Sequence, residues 1–428
     1  MIALALVFLA TLALGVPIAF AMGIASAAVI WKEDLADLLV VPQQVFAGLD
    51  SFPLLAIPFF ILSAELMTGG RLTDTLLRFA AACVGRARGG LGHTNIVTLT
   101  LFSGLSGSAL ADAAGPGAVI QRMMKEGGYA GAYGAALTAA TAIVGPVIPP
   151  SVIMVVYALT DNSVSVNGLF IAGVVPGLLI SAALLGVNHG ISIRRGYRGM
   201  EARPQPREFL ALTAGAVPAL LLPVIIIGGI HGGVFTPTEA SAVAVFYALL
   251  CGVFVYRSLA WSALPGILVR SSVMTAAVML IIATSNSFGY VLTVLQVPQA
   301  VGDWIGTLGL SPVGFLLVVN VFLLLFGIFI EPLPGVMILV PILAPLATSM
   351  GIDPLHFAIV VIVNLTLGMI TPPVGGLLFV TQVVTGEAMG RIVRELWPFL
   401  AAQLAVLLLL TLVPGLSVWL PHAMGYAK

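Results

Sequence analysis

Gly145-Pro146-Val147-Ile148-Pro149-Pro150 interrupts a long apolar stretch in the first half of the chain, and Gly368-Met369-Ile370-Thr371-Pro372-Pro373 interrupts another in the second. The two motifs lie 223 residues apart, and the same offset, without a gap, carries Gly104 onto Gly327 and Gly128 onto Gly351. Neither proline of the closing pair can donate an amide hydrogen, so a helix entering the motif stops there and restarts beyond it. Irregular backbone at membrane depth survives only inside protein or beside a water-filled cavity. Paired helix breaks at matching positions of two halves point to the binding site of a membrane transporter.

The composition fixes the medium. Hydrophobic residues fill 60% of 428 positions and charged residues 8%, against roughly 25% charged in a soluble domain. Runs such as 214–230 and 403–413 carry no charge and are bounded by charge, Gly or Pro, as membrane spans are. The formal charge is zero, so no global field recruits nucleic acid or an acidic partner. Cys83 and Cys251 lie in apolar surroundings and read as small hydrophobes, silent on redox compartment. Ala19-Phe20-Ala21 imitates a signal cleavage site, but no Lys or Arg precedes Lys32. The positive n-region is missing, so 1–31 reads as mature membrane structure, divided at Gly15-Val16-Pro17 into two short crossings.

Further spans are expected at 53–69, 130–159, 168–193, 209–230, 237–257, 265–295, 355–385 and 393–421. Two other apolar stretches, 91–126 and 312–350, carry loop chemistry at their centres. The first holds Ser103-Gly104-Leu105-Ser106-Gly107-Ser108-Ala109-Leu110-Ala111-Asp112, and the second Gly327-Ile328-Phe329-Ile330-Glu331-Pro332-Leu333-Pro334-Gly335. Re-entrant hairpins with tips near the midplane suit that pattern; ordinary spans joined by a short exposed loop are the plainer alternative.

Basic residues set the orientation. Arg194, Arg195, Arg198, Arg203 and Arg207 form the strongest positive cluster, which places this linker in the cytoplasm. Threading outward puts Arg257, Arg270, Arg391 and Arg394 on that side, and threading backward adds Arg122, Lys125, Arg86, Arg88, Arg78 and Arg71. Lys32 and Lys428 are the exceptions. The first hairpin must then enter from the cytoplasm and the second from the opposite face, which defines an inverted-topology repeat. The expected fold is therefore an all-α polytopic membrane protein of two inverted repeats, 1–193 and 209–428, joined by the basic linker 194–208. Each repeat holds a hairpin (91–126, 312–350) and a broken helix (130–159, 355–385). Segments 71–88 and 298–309 read as amphipathic arms on the membrane surface or as solvated loops.

Breaking a helix at 145–150 frees main-chain carbonyls, which are hard ligands. Ser103 and Ser106, three apart on the first tip, can point the same way. Carbonyls with hydroxyls suit a weakly held monovalent cation such as Na⁺ better than Ca²⁺ or Mg²⁺. Gly327, Gly368 and the Thr371 hydroxyl offer a corresponding set. A Pro-kinked helix packing through its glycines would explain one such motif alone, but not the pair. Among the acids, Asp112 can hold the first tip by local hydrogen bonds or face a substrate. Glu331, at the position matching Ser108, can bind solute or cap the returning helix. Glu65 reads as a hairpin-facing anchor or an interfacial residue, and Glu239 in Thr236-Pro237-Thr238-Glu239 as a helix cap. Ser192, beside the linker, reads as a neutral position. Five scattered histidines show no metal spacing, and no nucleophile, acid and base converge as an enzyme needs.

Five motifs in order then carry a family resemblance: Phe52-Pro53-Leu54-Leu55-Ala56-Ile57-Pro58, Ser106-Gly107-Ser108-Ala109-Leu110-Ala111-Asp112, Gly145 to Ser151, Thr236-Pro237-Thr238-Glu239-Ala240, and 364–376. Together they resemble the large membrane subunit of a TRAP transporter (tripartite ATP-independent periplasmic transporter), over about residues 2 to 421. The resemblance implies a bacterial or archaeal inner-membrane permease that takes up an organic acid with Na⁺ by an elevator motion, and no other cofactor. It implies two partners, a small four-span membrane subunit and a soluble periplasmic substrate-binding protein. It also places one Na⁺ site on Ser103, Ser106, Gly145, Ile148 and Pro150 and a second on Gly327, Gly368 and Thr371. Phe326 and Phe329 stand where the first half has Ser103 and Ser106, so the second tip must contribute backbone. Ser108, Asp112 and Glu331 are the substrate-binding candidates.

A stand-alone Na⁺/dicarboxylate symporter of related architecture would carry Ser-Asn-Thr at its hairpin tips. The nearest string here, Thr284-Ser285-Asn286-Ser287, lies in a span. An intramembrane enzyme lacks its catalytic set, and a structural scaffold leaves two matched breaks unexplained. No Walker A loop is present, so ATP does not drive this chain directly.

Overall fold

The computed structural model describes residues 2–67, 70–199 and 205–426. Arg203 and Lys428 lie outside them. Among the described residues every regular element is helical. The chain opens with α1 (Ile2–Ala13) and α2 (Ile18–Glu33), followed by α3 (Val40–Ala47), α4 (Ala56–Met67) and α5 (Gly70–Val84). A first hairpin comprises α6 (Gly90–Ser106), α7 (Ala109–Ala114) and α8 (Pro116–Glu126). An interrupted helix, α9 (Gly131–Ala142) and α10 (Val152–Thr160), leads to α11 (Val166–Arg195).

Beyond the linker come α12 (Pro206–His231), α13 (Pro237–Leu250), α14 (Leu264–Val294) and α15 (Val297–Thr307). A second hairpin is formed by α16 (Pro312–Gly327) and α17 (Pro332–Ser349), and a second interrupted helix by α18 (Pro354–Gly368) and α19 (Gly376–Thr385). The chain closes with α20 (Met389–Leu412) and α21 (Gly415–Ala423).

Among the described residues six helices are long and apolar enough to cross a membrane, or seven if α3 and the Phe52–Met67 segment, bent by 64°, count as one broken span. Two expectations need correction. The span at 393–421 is two helices, because Pro414 follows Leu412 too closely for the ladder to continue. The 12-residue α1 rises only about 18 Å, short of a ~30 Å hydrocarbon core, and it packs along α2.

Local chemistry places the helix starts. Thr236 and Glu239 form a reciprocal capping box on α13. Ser165 accepts the Gly168 amide at 3.0 Å to start α11, and Asp353 accepts the Leu355 and His356 amides to start α18. The segment expected to be an arm before the first hairpin is the helix α5, whose Leu72, Leu76 and Ala80 form one buried stripe. Its counterpart α15 has no buried residue among those described.

The two ends of α11 anchor different hairpins. At its C-terminal end the Gly89 amide donates to the Tyr197 carbonyl at 3.0 Å. There too Tyr129 stacks on Tyr197 with centroids 4.1 Å apart. These contacts fix the base of the first hairpin. At its N-terminal end a Cβ on Gly168 would meet Leu355, in the first turn of α18, at 3.3 Å. Helices α16 and α18 start together at that end, with Phe315 and Phe357 centroids 6.3 Å apart. They run side by side to the contact of Gly327 with Gly368. The bases of the two hairpins therefore lie at opposite ends of a helix about 45 Å long.

The halves interlock. Helix α9 packs on α20 and α10 on α17. Gln403 of α20 donates to the Ala140 carbonyl at 2.6 Å, and Arg195 pairs with Glu395 at 2.7 Å.

Candidate functional site

Approaching the first break, α9 tightens before it stops. The Gly145 amide donates to the Ala142 carbonyl and the Val147 amide to the Val144 carbonyl, both at 3.0 Å and both spanning three residues. Ser151 restarts the helix: its hydroxyl donates to the Pro146 carbonyl at 2.6 Å and accepts the Met154 amide at 3.4 Å. The carbonyl oxygens of Gly145, Ile148 and Pro150 accept no hydrogen bond among the described residues. Pro149-Pro150 is cis, as is Pro372-Pro373.

The first hairpin tip is set against this break. Gly107 takes the left-handed conformation, φ 59°, and a Cβ there would collide with the Pro150 carbonyl, so only glycine serves both the turn and the approach. Ser103 is fully buried and donates to the Leu99 carbonyl at 2.8 Å, which leaves its oxygen lone pairs free. Ser106 donates to Asp112 Oδ1 and accepts the Ser108 amide at 3.3 Å. Asp112 is fully buried, and its Oδ2 has no hydrogen-bond partner among the described residues. A Cβ on Gly145 would stand 2.8 Å from that oxygen.

Ser106 through Asp112 reaches Gly145, and Gly107 reaches Pro150, while Ser103 lies one turn back from Gly107 on α6 with its hydroxyl directed to its own helix. The Ile148 side chain turns away to pack on Gly177, leaving its carbonyl as the group on offer. Asp112 joins this set instead of the cavity described below. Nothing in its spacing from Ser106 could have separated the two places.

The second tip meets the second break through bare backbone. A Cβ on Gly368 would fall 2.6 Å from the Gly327 Cα. The Thr371 hydroxyl donates to the Leu367 carbonyl at 2.8 Å, and its amide donates to the Gly368 carbonyl at 3.0 Å. One lone pair on Gly368 is therefore used locally, while the Gly327 carbonyl accepts nothing among the described residues. Phe329 is exposed and offers no oxygen from its side chain.

Between the tips lies a cavity of about 150 Å³. Ser106, Ser108 and Leu110 line it from the first tip, Glu331 and Leu333 from the second, and Pro146 and Met369 from the breaks. The opposite wall is Ile61, Ala64 and Glu65 of α4 with Met274 and Val278 of α14. Ser108 caps α7, accepting the Ala111 amide at 3.4 Å. Glu331 stands at the cap position of α17, but its side chain caps nothing. Its carboxylate is left for the cavity and for a larger apolar one, about 570 Å³, bordered by Leu9, Leu12 and Phe329.

The first turns of α10 and α17 also border the smaller cavity, and helix N-termini favour negative charge. The arrangement places unpaired backbone oxygens at the breaks and two helix N-termini beside a cavity that Glu65 and Glu331 also line. Among the described residues no three His, Cys, Asp or Glu side chains gather to hold a transition metal. Glu65 is paired with Arg270 of α14 at 3.1 Å, a partnership across 205 positions that no local signal announces.

The sequence matches the family described as "Tripartite ATP-independent periplasmic transporter, DctM component" over residues 5–416. It is 44% identical over 384 residues to a C4-dicarboxylate TRAP transporter large permease protein of Pseudomonas aeruginosa, covering 89% of each chain. It is 39% identical over 415 residues to a sialic acid TRAP transporter large permease protein of Vibrio cholerae, covering 97% of each. Among solved structures, the YdaH transporter of Alcanivorax borkumensis superposes with a TM-score of 0.62 at 15% identity, over 90% of this chain and 89% of that one. At that identity the likeness concerns the fold.

Proposed function

This chain belongs to the DctM family, the large permease subunits of TRAP transporters, and on that premise we propose that it takes up a small organic acid with Na⁺ by an elevator motion. It is an integral inner-membrane protein, and its family works with a small membrane subunit and a periplasmic binding protein. The observation that carries the reading is the cavity walled by both hairpin tips and both helix breaks. The cation sites are Ser103, Ser106, Asp112, Gly145, Ile148 and Pro150 on one side of it and Gly327, Gly368 and Thr371 on the other. The Asp112 oxygen left without a partner among the described residues and the free carbonyls of the break it packs against suit a hard monovalent cation. Ser108, Glu331 and the N-terminal turns of α10 and α17 are left to face the acid.

Opposite entry of the hairpins supports two inverted repeats, with the linker end in the cytoplasm by the positive-inside rule. The hairpins and broken helices form the moving part, and α1, α2, α12 and α13 belong to the static scaffold. Two Na⁺ entering with a monoanion move one net positive charge, which gains ~2.3 kcal/mol per 100 mV. That equals roughly fifty-fold accumulation before the Na⁺ gradient is counted.

The relatives' substrates, a C4-dicarboxylate and a sialic acid, share a carboxylate, which is the substrate class proposed here. The test is uptake by proteoliposomes holding this chain, its small subunit and its binding protein. Uptake should need inward Na⁺ and rise with an inside-negative potential. Equal uptake in Na⁺ and choline buffers would defeat the coupling.

A further inference from the structure

Acids line the cavity between the hairpin tips, Glu65 and Glu331, while no Lys or Arg does among the described residues. A guanidinium nevertheless stands one helical turn outside it. Arg270 precedes Met274 by four residues and Val278 by eight, so the three share one face of α14. Met274 and Val278 line the cavity. Arg270 Nε donates to Glu65 Oε2 at 3.1 Å, and Glu65 is part of the wall. That bond uses one nitrogen of a planar fork built to take carboxylates bidentately. The Arg270 side chain is 61% exposed on this chain, so its remaining nitrogens are not enclosed by the protein's own packing. The other Arg–carboxylate pairs among the described residues, Arg195 with Glu395 and Arg391 with Glu387, do not border the cavity.

We propose that Arg270 is a substrate-contacting specificity residue, a carboxylate acceptor at the cytoplasmic mouth of the cavity, held by Glu65 when no substrate is present. The proposal rests on the organic-acid transport reading above. Arg270 lies near the cytoplasmic end of α14 by the same charge argument that places Arg257 there. Helices α4 and α14 pack on each other and lie outside the hairpins. Arg270 is therefore within reach only while the cavity faces this stretch. The departing carboxylate exchanges its contacts at the tips for the guanidinium, and Glu65 then competes it off. Glu65 limits how long the acid stays.

The test uses the complete transporter in proteoliposomes, with the binding protein outside only, so that outward-oriented molecules alone are read. Uptake of radiolabelled succinate and N-acetylneuraminate selects the probe, and the same compound is then loaded unlabelled inside. Luminal substrate slows uptake by rebinding at the inner mouth. Arg270→Gln should raise the luminal concentration for half-inhibition at least tenfold while external KM stays within twofold. Arg270→Lys should fall between, and Glu65→Gln should lower that concentration several-fold. The double variant Glu65→Gln/Arg270→Gln should behave like Arg270→Gln. If the double variant returns to the parent value, the pair is structural only and the proposal fails. Parent-like inhibition in Arg270→Gln overturns it equally. Melting temperature and co-purification with the small subunit report folding, and Arg270→Lys with Glu65→Gln carries the test if Arg270→Gln does not assemble. Failure of the parent to take up either acid overturns the transport reading for these acids, and the proposal with it.

Discussion

Asp112 accepts the Ser106 hydroxyl on one carboxylate oxygen and holds the other, unpartnered among the described residues, beside Gly145, 2.8 Å from where a Cβ at that glycine would stand. A fully buried carboxylate oxygen without a partner is costly. That oxygen stands against the helix break, whose Gly145, Ile148 and Pro150 carbonyls are also without donors among the described residues, and under the proposed function a cation is the group that offsets its burial.

Asp112→Asn should therefore leave the Na⁺-free protein as stable as the parent or more so, and should reduce the stabilisation that Na⁺ confers to what the second site alone supplies. Melting curves of the detergent-solubilised complex in NaCl and choline chloride check this. An undiminished Na⁺ shift in the variant would place the cation elsewhere.

Ser103→Ala removes one hydroxyl ligand and should preserve folding. Loss of such a ligand costs about 1–2 kcal/mol, or roughly five- to thirty-fold in half-saturating Na⁺. Ser192 is unsuitable as the neutral control, because it is fully buried against Gly89. Exposed Ser349, which bonds only the Leu346 carbonyl of its own helix, replaces it. Matching Na⁺ curves for Ser103→Ala, Ser349→Ala and the parent would make the hairpin serine structural.

Gly368→Ala should be more damaging than Gly376→Ala, eight residues on. The added carbon falls 2.6 Å from the Gly327 Cα at the first position and meets nothing within 4 Å at the second. Backbone cannot yield as a side chain can, so the second tip must lift from its break. Uptake per assembled complex should fall by at least tenfold for Gly368→Ala and less than twofold for Gly376→Ala. Equal uptake would separate the contact from transport.

Phe60 of α4 meets Phe170 of α11 edge to face, with centroids 6.2 Å apart. In a background without Cys83 and Cys251, cysteines at these two positions joined by a short bismaleimide tie α4, which packs on the proposed scaffold helix α13, to α11, which packs on α6 and α18 of the proposed moving part. Transport should stop while docking of the binding protein stays measurable. Full uptake by a verified cross-linked sample rules out the elevator, though not the ion sites.

What the sequence disclosed was local. Gly145 to Pro150 and Gly368 to Pro373 announce helix interruption through residue chemistry alone, and Thr236 with Glu239 announces a cap. Helix α3 was missed because Val40-Val41-Pro42-Gln43-Gln44 has no stripe wide enough to mark a buried face, and none of its residues is buried. The placement of Asp112 at the break, the unused carboxylate of Glu331 and the Glu65–Arg270 pair depend on how hairpins and spans assemble, which a one-dimensional pattern does not encode. Glu331 in particular satisfies the sequence rule for a helix cap, yet the prolines that follow already start α17, so its side chain is released from that duty.

The interlocking of α9 with α20 and of α10 with α17 also has a bearing on biogenesis. The Ala140 carbonyl that accepts from Gln403, and the Arg195 that donates to Glu395, are synthesised long before their partners. At ~5–20 residues per second the wait is on the order of tens of seconds. Through that interval the early half sits in the bilayer with polar faces uncovered, so the insertion machinery must shelter it until the last helices arrive.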